Sequence, residues 1–249
     1  MAAQSSSDGG YSHDFIASNA VVAARHITGM VRTWLEPASV VDFGCGLGVW
    51  LAEWAAHGCA IQGIDGDYVD RSALRIPERA FRAADLAQPV ELERCYDLVM
   101  SLEVAEHLPA ECADIFVESL TRHGDAILFS AAIPGQGGEH HVNCRWPSWW
   151  AAKFRAHGYD VFDVVRPRIW GNEDIAWWYR QNVLLYARGD AAERLAALPV
   201  VAAPMDVVHP RWWLDASLPR SLADESRAWI GAARQAVGRR LRKPGQDAR

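Results

Sequence analysis

The stretch Ser39-Val40-Val41-Asp42-Phe43-Gly44-Cys45-Gly46-Leu47-Gly48-Val49-Trp50 decides the fold. Ser39 to Phe43 is a short, mostly β-branched and apolar run, long enough for a buried strand. Glycines follow at every second position, and Trp50-Leu51-Ala52-Glu53-Trp54-Ala55-Ala56 then carries a helical pattern. Strand, glycine turn and helix form the first βα unit of a nucleotide-binding sheet. The glycines permit a tight turn and close approach of backbone to a ligand, and the helix N-terminus offers unpaired N–H groups.

Moving outward, Ala60-Ile61-Gln62-Gly63-Ile64-Asp65 is a second apolar strand ending in an acid. A nucleotide site of this type needs such an acid for a ribose roughly 20 residues after the turn. The spacing Gly44-x-Gly46-x-Gly48, with Asp42 just before it, departs from the G-x-G-x-x-G of nicotinamide enzymes. It resembles the first motif of class I S-adenosylmethionine-dependent methyltransferases, and the resemblance runs from about Val40 to Ala187. It implies a Rossmann-like, seven-stranded, mostly parallel sheet of order 3-2-1-4-5-7-6 with helices on both faces. It also implies that Gly44, Gly46 and Gly48 lie under the methionine part of S-adenosylmethionine and that Asp65 binds both ribose hydroxyls. Asp42 and Gly66 flank that set. Asp85 and Leu86, after the third strand, are the adenine candidates.

The chain has 249 residues, half of them hydrophobic, enough for one α/β domain with additions. A net charge of −6 and a pI near 5.8 argue against a general nucleic-acid or acidic-membrane binder. Met1 to Gly10 lacks the pattern of a signal peptide, and no run is apolar enough to span a bilayer. Five widely spaced cysteines with no C-x-x-C speak against a disulfide framework. The cytoplasm is the expected compartment. Oligomeric state is not legible.

Taken in order, residues 1–10 are expected to be disordered, and 11–188 form the domain with a covering helix over Ser12 to Leu35, capped by Ser12-His13-Asp14. Strands three to seven are expected at 79–86, 96–101, 125–131, 159–165 and 182–187, with helices over 110–122 and 147–157. Residues 189–249 form a loop and helix extension, the helix spanning Asp224 to Lys243. Twelve tryptophans are unusual. Those in the second half serve either core packing or an aromatic acceptor pocket, with Trp146, Trp149, Trp170, Trp178 and Tyr179 as the pocket candidates.

The second informative site is Glu103-x-x-Glu106-His107, after strand four. On a helical turn this spacing puts the three side chains on one face. The loop after strand five opens beside it and carries Glu139-His140-His141. Carboxylates and imidazoles together suit a divalent ion that prefers oxygen and nitrogen. The pattern resembles the Glu-x-x-Glu-His plus distant His of two groups, the small-RNA 3′-terminal 2′-O-methyltransferases and the ubiquinone-pathway O-methyltransferases. By that resemblance Glu103, Glu106, His107 and His141 are metal ligands, with His140 as substitute, and Glu103 also borders the cofactor. Without metal, the same turn simply hydrogen-bonds its loop, and His141 or His140 serves as base beside Glu106. Tyr179 is a further base candidate, disfavoured by the high pKa of a phenol.

Gln136-Gly137-Gly138 and the Trp-Trp-Tyr-x-Gln-Asn segment are similar to those of bacterial methyltransferases of polysaccharide and natural-product pathways. The expectation is a methyltransferase acting on a hydroxyl of a sugar or biosynthetic intermediate, with small-molecule N-methylation and RNA 2′-O-methylation as alternatives. A non-catalytic scaffold fits the intact turn and acid poorly.

Overall fold

The computed structural model describes residues 13–217, with side chains from 20 to 214. Ser12, the expected disorder over 1–10 and the helix over Asp224 to Lys243 lie outside the described residues. Helix α1 (His13–Leu35) precedes β1 (Ser39–Phe43), α2 (Val49–Ala56), β2 (Ala60–Asp65), β3 (Phe81–Ala83), β4 (Leu98–Leu102) and α3 (Ala113–Arg122). Then follow β5 (Ala126–Ser130), α4 (Pro147–Ala156), β6 (Asp160–Phe162), α5 (Arg166–Ile169), α6 (Trp177–Asn182), β7 (Leu184–Ala187), α7 (Gly189–Arg194) and α8 (Pro210–Ser217).

The seven strands form one sheet in the order β3-β2-β1-β4-β5-β7-β6. The first five strands run parallel, and β7 lies antiparallel between β5 and β6. This is the Rossmann-like architecture expected. β1, β4, β5 and β7 are buried along their whole length, as strands covered on both faces must be. One face carries a core around Leu51, Trp54, Ile27 and Val31, supplied by α1 and α2. The other carries Phe116, Leu120, Trp150 and Phe154 from α3 and α4. Each such side chain, fully buried, stabilises the fold by about 1.5–3 kcal/mol. The start of β1 is pinned beside β4 because Asp97 Oδ2 accepts from the N–H groups of Ala38 and Ser39 and from the Ser39 hydroxyl, at 2.8–3.0 Å.

The departures have local causes. β3 is only three residues long because Glu78–Ala80 forms a 3₁₀ turn before it and Asp85 starts a turn after it. β6 ends at Phe162, since Asp163 turns to pair with Arg166 and Pro167 favours the first turn of α5. The aromatic segment before β7 is a helix, α6. Residues 189–209, expected in an extension, belong to the same compact unit, which runs to His209. Leu195 is fully buried, Val201 pairs with Val161, and the His209 N–H donates to Gln181 Oε1 at 2.8 Å. A second unit begins at Pro210, and its described part is α8.

Candidate active site

A cavity of about 960 Å³ opens at the carboxyl ends of the parallel strands, where ligands bind in such sheets. Its floor is the glycine turn. Gly44, Gly46 and Gly48 all have left-handed φ (88°, 51° and 77°). A Cβ on Gly44 would lie 2.3 Å from Val104 Cγ2, so the turn packs directly on the segment after β4. A Cβ on Gly46 meets nothing within 4 Å, which leaves an open face on the cavity.

Asp65, at the end of β2, closes one side. Its Oδ2 accepts the Gly46 N–H at 2.7 Å, and its Oδ1 accepts the Gly66 N–H at 2.7 Å and the Tyr68 hydroxyl at 2.6 Å. Gly66, Asp85 and Leu86 also line the cavity; Asp85 is exposed and caps its own turn through the Ala87 N–H. Asp42 does not reach the lining. It is buried beneath the turn with Oδ1 lacking a hydrogen-bond partner, and burial, aided by the charge of Asp65, raises its pKa to about 7.

The opposite end is built by the turn after β4 and the loop after β5. Glu103 adopts φ 56°, held by its N–H donating to the Ser130 carbonyl and hydroxyl. Its carboxylate accepts from Asn182 Nδ2 and from Gln136 Nε2, each at 3.1 Å. Gln136 Oε1 in turn accepts from Gln181 Nε2 and Asn182 Nδ2. Burial raises the Glu103 pKa, and these hydrogen bonds oppose the rise. Glu106 sits in the 3₁₀ turn Ala105–His107, fully buried, with no side-chain partner on either carboxyl oxygen and only the backbone N–H groups of Glu106 and Ala132 beside it. Burial and then the charge of Glu103 push its pKa well up.

Donor atoms of Glu106, His107 and His141 all lie within 4.8 Å of one another, and the two imidazoles meet edge to face at 4.8 Å. Burial lowers both imidazole pKa values; with the help of His107, that of His141 falls to about 4. Both rings are therefore neutral near pH 7 and offer lone pairs. Three of the four expected metal ligands converge. Glu103 stays with its amides outside this cluster, and His140, largely exposed beside Glu139, lines the cavity without joining the cluster.

Among the aromatic candidates, Trp178 and Tyr179 line the cavity. Tyr179 is buried against Trp50, and burial raises its pKa further, which makes it a poor base. Trp146, Trp149 and Trp170 are not in the lining. Trp146 starts α4, Trp149 packs under Lys153 and Arg145, and Trp170 packs on His209. Trp177, one of the second-half tryptophans but not among those pocket candidates, also lines the cavity. The available signal was topological: the segment before an antiparallel strand returns to the rim where the parallel strands end. No helix among the described residues is long and apolar enough to cross a membrane.

The family model described as a methyltransferase domain matches residues 23–182. No curated protein matches the chain. Among solved structures, it is similar to the sugar N-methyltransferase KedS8 of Streptoalloteichus sp, with 16% identity, TM-score 0.55, and coverage of 76% of this chain and 99% of that one. It is similar to DesVI of Streptomyces venezuelae at 14% identity, TM-score 0.54, covering 71% and 95%. It is also similar to CalS10 of Micromonospora echinaspora, a SAM-bound amino pentose methyltransferase, at 15% identity, TM-score 0.53, covering 74% and 100%.

Proposed function

Since this chain belongs to the class I S-adenosylmethionine-dependent methyltransferases, we propose that it methylates a hydroxyl of a small, sugar-like acceptor in the cytoplasm, with a divalent cation held by Glu106, His107 and His141. The observation that carries this reading is Glu106. A fully buried carboxyl with no side-chain hydrogen-bond partner, facing only backbone N–H groups, is costly to ionise, and a cation between it and two neutral imidazoles offsets that cost.

The residues fit the cofactor too. The open face of Gly46 leaves room for a ligand against the backbone, and Asp65 keeps acceptor capacity beyond its present partners. When bound, S-adenosylmethionine supplies a methyl group made electrophilic by its sulfonium. Asp65 takes the ribose, and Asp85 and Leu86 border the adenine. Glu103, fixed by Asn182 and Gln136, gives the methionine end a static negative edge. A divalent cation at Glu106, His107 and His141 supplies the Lewis acidity that lets an alcohol lose its proton near neutral pH. Trp177 and Trp178 offer aromatic faces to the acceptor, and the amino pentose and sugar activities named for two neighbours accord with that.

N-methylation of an amino sugar is the second reading. It needs a base rather than a cation, and His141 lines the cavity with a neutral ring, though a pKa of about 4 makes that ring a weak base toward an ammonium acceptor. The net charge of −6 weighs against an RNA acceptor.

The test is a screen of nucleotide sugars and pathway metabolites for labelled-methyl incorporation, run with and without chelator. The expected product carries the label on oxygen, and turnover stops in chelator. Full turnover in chelator removes the cation, and label on nitrogen favours the second reading.

A further inference from the structure

We infer that Gly138 is a positioning residue: the space left by its missing side chain is the seat of the His141 imidazole, and the loop around it presents that ring to Glu106 and His107. The inference rests on the reading above that His141 belongs to the reacting cluster. A Cβ on Gly138 would fall 2.2 Å from Cε1, 2.3 Å from Nε2 and 2.6 Å from Nδ1 of His141. Every other residue type carries that carbon, so only glycine leaves the ring where it is. The same ring meets His107 edge to face, with centroids 4.8 Å apart. His141 thus touches a loop glycine and a cluster partner at once.

The main chain fixes the approach of the loop. His140 is left-handed at φ 56°, and its carbonyl accepts from the His107 ring. That bond commits one imidazole nitrogen as the N–H and gives the other the lone pair. Past His141, the N–H groups of Val142 and Asn143 both donate to the Glu106 carbonyl, at 2.8 and 3.0 Å. Asn143 is buried and accepts from Arg145 Nε at 3.0 Å, while the Arg145 N–H donates to the Ala132 carbonyl at 3.2 Å. The loop is therefore laced to the turn Ala105–His107 on both sides of His141. What these bonds leave open is the rotation of the His141 side chain, and the seat at Gly138 sets it. Gly137 gives the contrast. It is equally exposed and has φ 70°, yet a Cβ there meets nothing within 4 Å. One glycine supplies backbone freedom alone; its neighbour supplies room for a ring.

The experiment has two readouts on the full chain. In the metal-free wild type, a nuclear Overhauser effect between the Gly138 Hα protons and His141 Hε1 is expected, and its absence overturns the seat. Chelator-stripped wild type, Gly137→Ala and Gly138→Ala are then titrated with Co²⁺, followed by its visible d–d bands, and with S-adenosylhomocysteine by calorimetry. Gly138→Ala should bind Co²⁺ about 10–100-fold more weakly, the loss typical when a residue supporting a ligand is changed. Gly137→Ala should match the wild type, and all three should bind S-adenosylhomocysteine alike. Unchanged Co²⁺ affinity in Gly138→Ala, or an equal loss in Gly137→Ala, overturns the role of Gly138. Loss of S-adenosylhomocysteine binding or of the folded state in Gly138→Ala overturns it as well, since the glycine then supports more than His141. If the wild type takes up no Co²⁺, the cation reading falls, and the Overhauser effect alone decides the seat.

Discussion

Asn182 donates its side-chain amide to Glu103 at 3.1 Å, joining the end of α6 to the turn after β4 across 79 residues of chain. The bond supports a buried carboxylate that no cationic side chain among the described residues neutralises. Asn182→Ala strips that support and should cost about 1–3 kcal/mol in denaturant unfolding. In a Glu103→Gln background the cost should shrink, because the charge needing the donor is gone. Equal costs in both backgrounds would show that the amide acts on something other than Glu103.

Gly44 and Gly46 separate packing from ligand room. Gly44→Ala forces a methyl into Val104 and should destabilise the fold by about 1–3 kcal/mol. Gly46→Ala meets open space, so its folding cost is mainly the left-handed φ, about 1–2 kcal/mol. Its methyl nevertheless projects toward the cavity. Calorimetry with S-adenosylhomocysteine should show affinity lost in Gly46→Ala at temperatures well below its own melting point, which falls by several degrees.

Asp65→Ala should weaken S-adenosylhomocysteine binding by at least about tenfold, the loss expected when a hydrogen bond to a charged group disappears. Tyr68→Phe removes only a hydroxyl that already occupies Asp65 Oδ1, so its affinity should hold or rise. Unchanged affinity in Asp65→Ala would end the ribose role.

Asp42 has a pKa raised from 3.8 to about 7 by burial and the neighbouring Asp65. The folded chain thus holds this proton more tightly than the unfolded one. Its contribution to stability is complete below the unfolded pKa and is lost as pH rises through about 7. Relative to wild type, Asp42→Asn should gain stability, on the order of a few kcal/mol near pH 8 and less toward pH 5. Melting curves of the two proteins across that range should converge as pH falls. Parallel curves would show that Asp42 keeps an ordinary pKa.

Cation uptake should weaken as pH falls. The raised pKa of Glu106 means a proton competes for the same oxygens. Titration calorimetry in two buffers of different ionisation enthalpy should reveal proton release on binding. Buffer-independent heats would indicate a Glu106 already ionised.

The parallel half of the fold and its glycine turn were legible because buried parallel strands write themselves as apolar runs such as Ser39–Phe43, and only glycine suits three left-handed positions in a row of alternates. Asp65 was legible for the same reason: it ends such a strand. The second half was harder. α6 and the tryptophans around it carry no period that distinguishes core from pocket, so Trp149 and Trp170 were expected where Trp177 stands. The Gln136–Glu103–Asn182 network joins residues distant in sequence, and no local pattern announces it. Glu103 matched a ligand spacing, but its left-handed backbone turns it toward those amides.

The antiparallel β7 has a consequence for how such a protein can diverge. The glycine turn, Asp65 and Glu103 at the cavity lie in the first half of the chain, whereas the stretch that feeds into β7 delivers Trp177 and Trp178 to the same rim from the other end of the sequence. Changes confined to residues 170–178, which leave Asn182 and its bond to Glu103 in place, can therefore reshape what is accepted without touching that support. Exchanging that short cassette between relatives is a direct route to new acceptors.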